Sequence, residues 1–385
     1  MSASWKRNWI VIGFIFLNMA ILGIVQAARG PVLPFIEAEY RLSYSSLALI
    51  LAVCAIGLLL GVSIGGRICE RFGYRKGLLF ATAILFTSLG ILGTHSSFES
   101  LLVNFFFIYL ALGCIDISIN SLASTIFVTK TAILMSVTHF FFGLGSAGGS
   151  QYAGFMLAGE IPWRHIFISV LVLCAISLIM VFLAKFPDAK QKDSGKGLRF
   201  AEVIKDMRVW LLFGTIGLCV MFDFGVTSWL VLYLRNSQNM TPDASASYLA
   251  LYFLLFALGR LFGGVIAEKL GYIKTFLVCI IGAIVFFSLG IILNHAFLFA
   301  IIGLFTSVFF PLFLSIVVKE FQDNAPAVIH VIFPLNNILF MASSALLGIL
   351  MDNIGVQAGF YMIGLFIAIA PVCLFFLKKS LKHKV

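Results

Sequence analysis

The chain has 385 residues, of which 61% are apolar (A, V, I, L, M, F, W, Y or C) and 11% charged, and 26 Lys and Arg against 16 Asp and Glu leave a net charge of +10. A soluble domain runs about 45–50% apolar and about 25% charged, so a water-soluble enzyme, a disordered chain and a nucleic-acid-binding chain are excluded. A spanning helix needs roughly 20 apolar residues, and this composition supplies about twelve of them.

Breaks in hydropathy predict twelve spans at approximately 8–28, 44–68, 77–95, 99–122, 131–158, 164–185, 208–234, 245–268, 274–293, 296–319, 326–351 and 357–377. The first follows Trp5-Lys6-Arg7, where a secretory signal peptide is the competing reading; the run is long for an h-region. The second carries Gly57, Gly61 and Gly65 on one face, spacing that lets helices approach closely. The fourth holds Asp116 and, one turn on, Asn120. The fifth holds His139 and a formal GxGxxG, Gly143-Leu-Gly145-Ser-Ala-Gly148, which no strand precedes; as a nucleotide site it is a false positive. A polar stretch, 186–207, divides the spans six and six and reads as a linker. The seventh span holds Asp223 and Trp229, the eighth Gly259 and Gly263, and the eleventh Asn336 and Asn337.

Charge assigns sides. Counting gaps alternately, 22 Lys and Arg fall on the side of the N-terminus and 4 on the other, which places both termini and the linker in the cytoplasm. The seven cysteines are scattered, with no CxxC or Cys/His cluster, so buried thiols are expected and no metal site.

The chain also repeats itself. Gly65-Gly-Arg-Ile-Cys-Glu-Arg-Phe-Gly-Tyr-Arg-Lys76 recurs as Gly263-Gly-Val-Ile-Ala-Glu-Lys-Leu-Gly-Tyr-Ile-Lys274, with seven of twelve positions identical at an offset of 198 residues. A weaker echo, Gly348-Ile-Leu-Met-Asp352-Asn-Ile-Gly355, follows the eleventh span. Internal symmetry of this kind marks secondary transporters.

The repeat resembles the loop between the second and third helices of major facilitator superfamily transporters, with Gly66, Glu70, Arg71, Gly73, Arg75 and Lys76 on the motif positions; Glu70 stands for the usual Asp and Tyr74 for the first Arg. The resemblance implies an all-α membrane protein with the major facilitator fold: an N-terminal six-helix bundle (1–185), a cytoplasmic linker (186–207) and a C-terminal six-helix bundle (208–385). A narrower resemblance is to the fucose/galactose/glucose–proton symporter branch, carried by Gly113-Cys-Ile-Asp116-Ile-Ser-Ile-Asn120, His139-Phe-Phe-Phe-Gly143-Leu-Gly145, Asp223 ahead of Trp229, and Ser307-Val-Phe-Phe-Pro311-Leu-Phe-Leu-Ser315. It implies proton-coupled uptake of a sugar. The chain departs from the fucose symporter at Ala27-Ala28-Arg29-Gly30-Pro31, which offers no acid in the first helix.

A charge at mid-membrane costs about 2.5–3.5 kcal/mol on insertion scales, so ionisable groups there face a cavity or a partner. Asp116 is the expected proton site: neutralised by a proton, its carboxyl can pass an occluded state that a charged one resists. Asp223 and His139 are the further candidates for proton coupling. Asn18, Gln26, Arg29, Asn120, Trp229, Asn336 and Asn337 are the candidates for substrate contact, each competing with a packing, anchoring or snorkelling role. Gly66, Glu70, Arg71, Gly73, Arg75 and Lys76, with Glu268, Lys269, Gly271 and Lys274 of the second copy, are the candidates for gating through charge pairs that break as the halves rock.

The expected partners are a small-molecule substrate, protons and the lipid bilayer, with no nucleic acid and no cofactor, and the chain is expected to act as a monomer. The expected function is secondary transport of a small polar solute by symport. Two alternatives stand beside it: a proton-driven exporter of a lipophilic compound or metabolite, whose branch often carries a Gly-Pro motif absent from Gly143–Gly154, and a non-transporting membrane sensor.

Overall fold

The computed structural model describes residues 9–94, 97–127, 131–187 and 203–381. Lys6, Arg7, Lys130, most of the expected linker, Lys382 and Lys384 lie outside the described residues. The described residues form helices in the predicted order: α1 (Trp9–Tyr40), α2 (Tyr44–Phe72), α3 (Tyr74–Gly90), α4 (Phe98–Ile126), α5 (Thr131–Ala158), α6a (Trp163–Ser169) and α6b (Leu171–Leu183), α7 (Met207–Gln238), α8 (Pro242–Leu270), α9 (Tyr272–Ile292), α10a (Ala296–Thr306) and α10b (Phe309–Phe321), α11 (Ala325–Ile354) and α12 (Val356–Ser380). Among the described residues, ten stretches are long and apolar enough to cross a membrane, one of them running from Ala296 to Ile354 through α10 and α11. This is a multi-pass membrane protein. Large apolar side chains such as Phe155 and Phe182, or Phe262 and Ile292, stand exposed on the helices; in a bilayer they face lipid, which is as apolar as they are.

One boundary differs from the sequence expectation. The first span was expected to end near residue 28, before Arg29, Pro31 and Pro34, but α1 continues to Tyr40 with both prolines inside it. Arg29 therefore lies within the helix and not at its end. It is 8% exposed, with eleven further helical residues beyond it. Prolines are tolerated inside membrane helices because neighbouring groups satisfy the freed carbonyls.

The chain forms two compact units. Unit 1 comprises residues up to Leu42, Leu49–Lys192 and Thr241–Ala250; unit 2 comprises Ser43–Ala48, Asp193–Met240 and Leu251 to the end. Unit 1 is built on small residues. A Cβ on Gly61 would run into the Leu110 carbonyl, and one on Gly113 into the Leu58 carbonyl, so α2 and α4 pack backbone to backbone. Gly145 does the same for α5 against Ala20 of α1. Unit 2 repeats the device between α8 and α10, with Gly259 against Ser307 and Gly303 against the Tyr252 carbonyl. Without a hydrophobic drive between helices in lipid, this close approach supplies the van der Waals contact that holds them.

The repeated loop has a backbone cause. Gly73 and Gly271 sit at φ +83° and +88°, and Gly355 of the weaker echo at +86°. Each lets the chain reverse between two helices in a conformation that a side chain would strain. The glycine is the part of the motif that the turn demands; the charges around it are free to serve something else.

Candidate functional site

Each unit carries a buried polar cluster in corresponding helices. In unit 1, Arg29 of α1 donates from Nη1 to the Tyr109 hydroxyl of α4 at 3.2 Å, its guanidinium lies 5.5 Å from the Tyr109 ring centroid, and the buried Cys54 thiol of α2 is close to it. In unit 2, Tyr252 of α8 donates to Asp223 Oδ1 of α7, and its hydroxyl is 2.7 Å from Thr306 Oγ1 at the end of α10a. The repeat offset of 198 residues carries Cys54 onto Tyr252 and Tyr109 onto Ser307. It carries Arg29 onto Thr227, which bonds the Asp223 carbonyl one turn back at 2.9 Å. The offset thus sets the cation of one half against a hydroxyl that lies one turn from the acid of the other.

The remaining unit 1 candidates divide. Asn120 Nδ2 donates to Asp116 Oδ1 at 2.8 Å and to the Asp116 carbonyl at 3.0 Å, so the pair expected from i,i+4 spacing is formed. Asp116, Asn120, His139 and Gln26 are half-buried. Asn18 is buried and engaged on both sides of its amide: Nδ2 donates to the Phe14 carbonyl at 2.9 Å, and Oδ1 accepts from Ser177 of α6b at 3.1 Å. That pattern ties α1 to α6b.

In unit 2, Trp229 is fully buried, and its indole N–H has no acceptor among the described residues. Asn337 Nδ2 donates back to the Phe333 carbonyl at 3.0 Å. Asn336 Oδ1 is buried without a donor among the described residues and lies against Gly217 of α7. It is an acceptor to which a hydroxyl could donate.

The gating candidates are exposed or half-buried at the ends of their helices. Among the described residues, Glu70, Arg71, Arg75 and Lys76 form no ion pair; Arg75 instead donates to the Phe182 carbonyl of α6b at 3.1 Å. Tyr74, buried beside Gly73, places its hydroxyl 2.9 Å from Ser121 Oγ. In the second copy Glu268 accepts from the Tyr272 hydroxyl at 3.2 Å, and Lys319 lies over the Tyr272 ring at 4.3 Å. Among the described residues Lys269 and Lys274 form no ion pair, Gly66 lies half-buried near the end of α2, and Gly271 supplies the turn described above.

Sequence reasoning missed Tyr109, Cys54, Tyr252, Thr306 and Arg260. Tyrosine, threonine and cysteine are ordinary in membrane helices and announce nothing singly. Arg260 was counted among the cytoplasmic charges, yet it lies within α8 and donates from Nε to the Ser307 carbonyl at 3.2 Å. The usable signal was the 198-residue offset itself, had it been carried past the loop.

Comparison with known proteins agrees with this architecture. The family model described as Major Facilitator Superfamily matches residues 15–337 and 215–385. The chain is 26% identical over 310 residues to a cis,cis-muconate transport protein of Acinetobacter baylyi, covering 76% of this chain and 73% of that protein. It is 22% identical over 335 residues to a putative glucose/galactose transporter of Helicobacter pylori, covering 80% and 81%. Among solved structures it resembles a D-xylose–proton symporter, with TM-score 0.77, 13% identity, and 98% and 99% of the two chains covered.

Proposed function

From the premise that this chain belongs to the major facilitator superfamily, and so is a membrane transporter and not an enzyme, we propose that it carries a small polar solute into the cell by proton-coupled symport. The observation that carries this reading is the Asp116–Asn120 pair in the middle of α4, where the amide holds the carboxyl at 2.8 Å. A carboxyl inside the membrane is costly and is kept where it does something. Asp116 takes the proton, and Asn120 orients it or meets a substrate hydroxyl. The two similar transporters named for muconate and for glucose/galactose carry small polar solutes, one acidic and one neutral; the amides Gln26, Asn336 and Asn337 suit a polyol, and a sugar is the first cargo to try.

In this reading the halves 1–185 and 208–385, joined by the linker 186–207, alternate between two access states, with both termini in the cytoplasm as the 22-to-4 charge bias indicates. The repeated Gly66–Lys76 and Gly264–Lys274 loops gate the cytoplasmic face. The test is a solute screen in proteoliposomes with an imposed pH gradient. Uptake of a hit that ignores the gradient would end the proton-coupled reading, and solute movement driven only outward would move the protein to the export alternative.

A further inference from the structure

We propose that Asp223, held by Tyr252 beside a break in α10, is a second proton-carrying group of the transport cycle, separate from Asp116. The proposal rests on the proton-coupled reading and adds a site to it.

The break has a local cause. Pro311 has no N–H, so the carbonyl four residues earlier, Ser307, loses its helical donor. Helix α10a ends at Thr306 and α10b begins at Phe309. Arg260 Nε takes up the released Ser307 carbonyl at 3.2 Å. Gly259 and Gly263 bring α8 against Ser307 and Val308 so closely that a Cβ at either would collide. A discontinuous helix at membrane depth, with freed backbone met by a neighbour, is where transporters place their coupling-ion sites.

Asp223 lies at the middle of α7 and reaches this break through one side chain. Among the described residues, the titratable and charged groups that face it are Tyr252 and Arg260 of α8 and Cys219 of its own helix, with Cys279 of α9 and Cys373 of α12 beyond Cys219. With Asp223 ionised, Tyr252 donates to the carboxylate and can accept from Thr306, and Arg260 offsets the charge. Proton uptake forms an O–H on the carboxyl, and hydronium returns to water. The carboxyl then becomes a donor to the Tyr252 oxygen, Tyr252 turns its proton to Thr306 Oγ1, and the Arg260 charge loses its counter-charge. Thr306 is the last residue of α10a, so the reversal of the chain arrives at the break. A metal cation fits poorly, because Arg260 already occupies the Ser307 carbonyl with positive charge and no group of three metal-holding side chains exists among the described residues.

The test uses the full chain reconstituted in lipid. Infrared difference spectra between acid and alkaline buffer should show a buried carboxyl band that disappears in Asp223→Asn, persists in Asp116→Asn and returns at a new frequency in Asp223→Glu. Tyr252→Phe, which keeps the packing, should move the pH midpoint of that band by roughly one unit, the size of one hydrogen bond to a charged group. Gradient-driven accumulation should be lost in Asp223→Asn while exchange is kept. A band and an accumulation both unchanged in Asp223→Asn overturn this proposal and leave the symport reading standing. A wild-type protein whose uptake ignores the gradient overturns the symport reading itself.

Discussion

The Asp352 carboxylate accepts the backbone N–H of Tyr44 on Oδ1 at 2.7 Å and that of Ser45 on Oδ2 at 3.0 Å. All four opening N–H groups of α2 are thereby satisfied, because Ser46 donates to Ser43 Oγ at 3.2 Å and Leu47 to the Ser43 carbonyl at 3.1 Å. Ser43 is a local cap, and Asp352, 308 residues away in sequence, completes it within unit 2. Replacing Asp352 with Ala should cost about 1 kcal/mol, whereas Asn, also a good cap, should cost less. Unfolding of the purified variants in mild detergent by graded denaturant reads the difference, and equal stability of the Ala variant and wild type would show the cap to be idle.

Gly113 is a stricter position. Its Cβ would meet the Leu58 carbonyl and the Val62 nitrogen at 2.9 Å, both backbone atoms that cannot rotate away. Gly113→Val should separate α2 from α4 and cost at least about 1–3 kcal/mol. The expected result is loss of monodisperse protein in size-exclusion chromatography, while Gly66→Val, whose nearest neighbour is the Ile117 side chain at 3.8 Å, should stay monodisperse.

Arg208 joins the start of α7 to α10b. It bonds Asp206 through Nε at 3.1 Å and also pairs with Glu320, whose side chain is fully buried. Breaking a buried pair strands a charge away from water, so Arg208→Ala should destabilise by about 3 kcal/mol. The double replacement of Arg208 and Glu320 by Met should recover most of that loss, as measured by a double-mutant cycle in thermal unfolding. A double variant no better than the single one would mean that packing of the Arg stem, not charge, holds this contact.

Asp116→Asn keeps size and loses only the titrating oxygen. Solute exchange across proteoliposomes at equal pH should persist, and accumulation driven by a pH gradient should vanish. Equal accumulation by this variant and wild type would remove Asp116 from coupling while leaving its bond to Asn120 as a structural one.

Periodicity, apolar run length and the positions of Gly and charge sufficed for the helical order, the twelvefold count and the internal repeat, because bilayer thickness sets helix length and water sets where charges go. Gly73 and Gly271 were found as motif residues for the same reason: a tight reversal needs positive φ wherever it occurs. The Asp116–Asn120 bond was readable too, since four residues along one helix fix a distance.

Contacts between helices far apart in sequence were another matter. Tyr252 and Asp223, Arg29 and Tyr109, and Asp352 and Tyr44 are joined by packing, and no spacing rule links residues on different helices. Arg29 shows the difference most plainly. In the chain it reads as a charge at the outer end of a span, but folding prolongs α1 past two prolines and buries it against Tyr109. The membrane imposes helices and sidedness residue by residue, whereas the partners of its few buried polar groups emerge only when the helices pack and each such group must find a hydrogen bond.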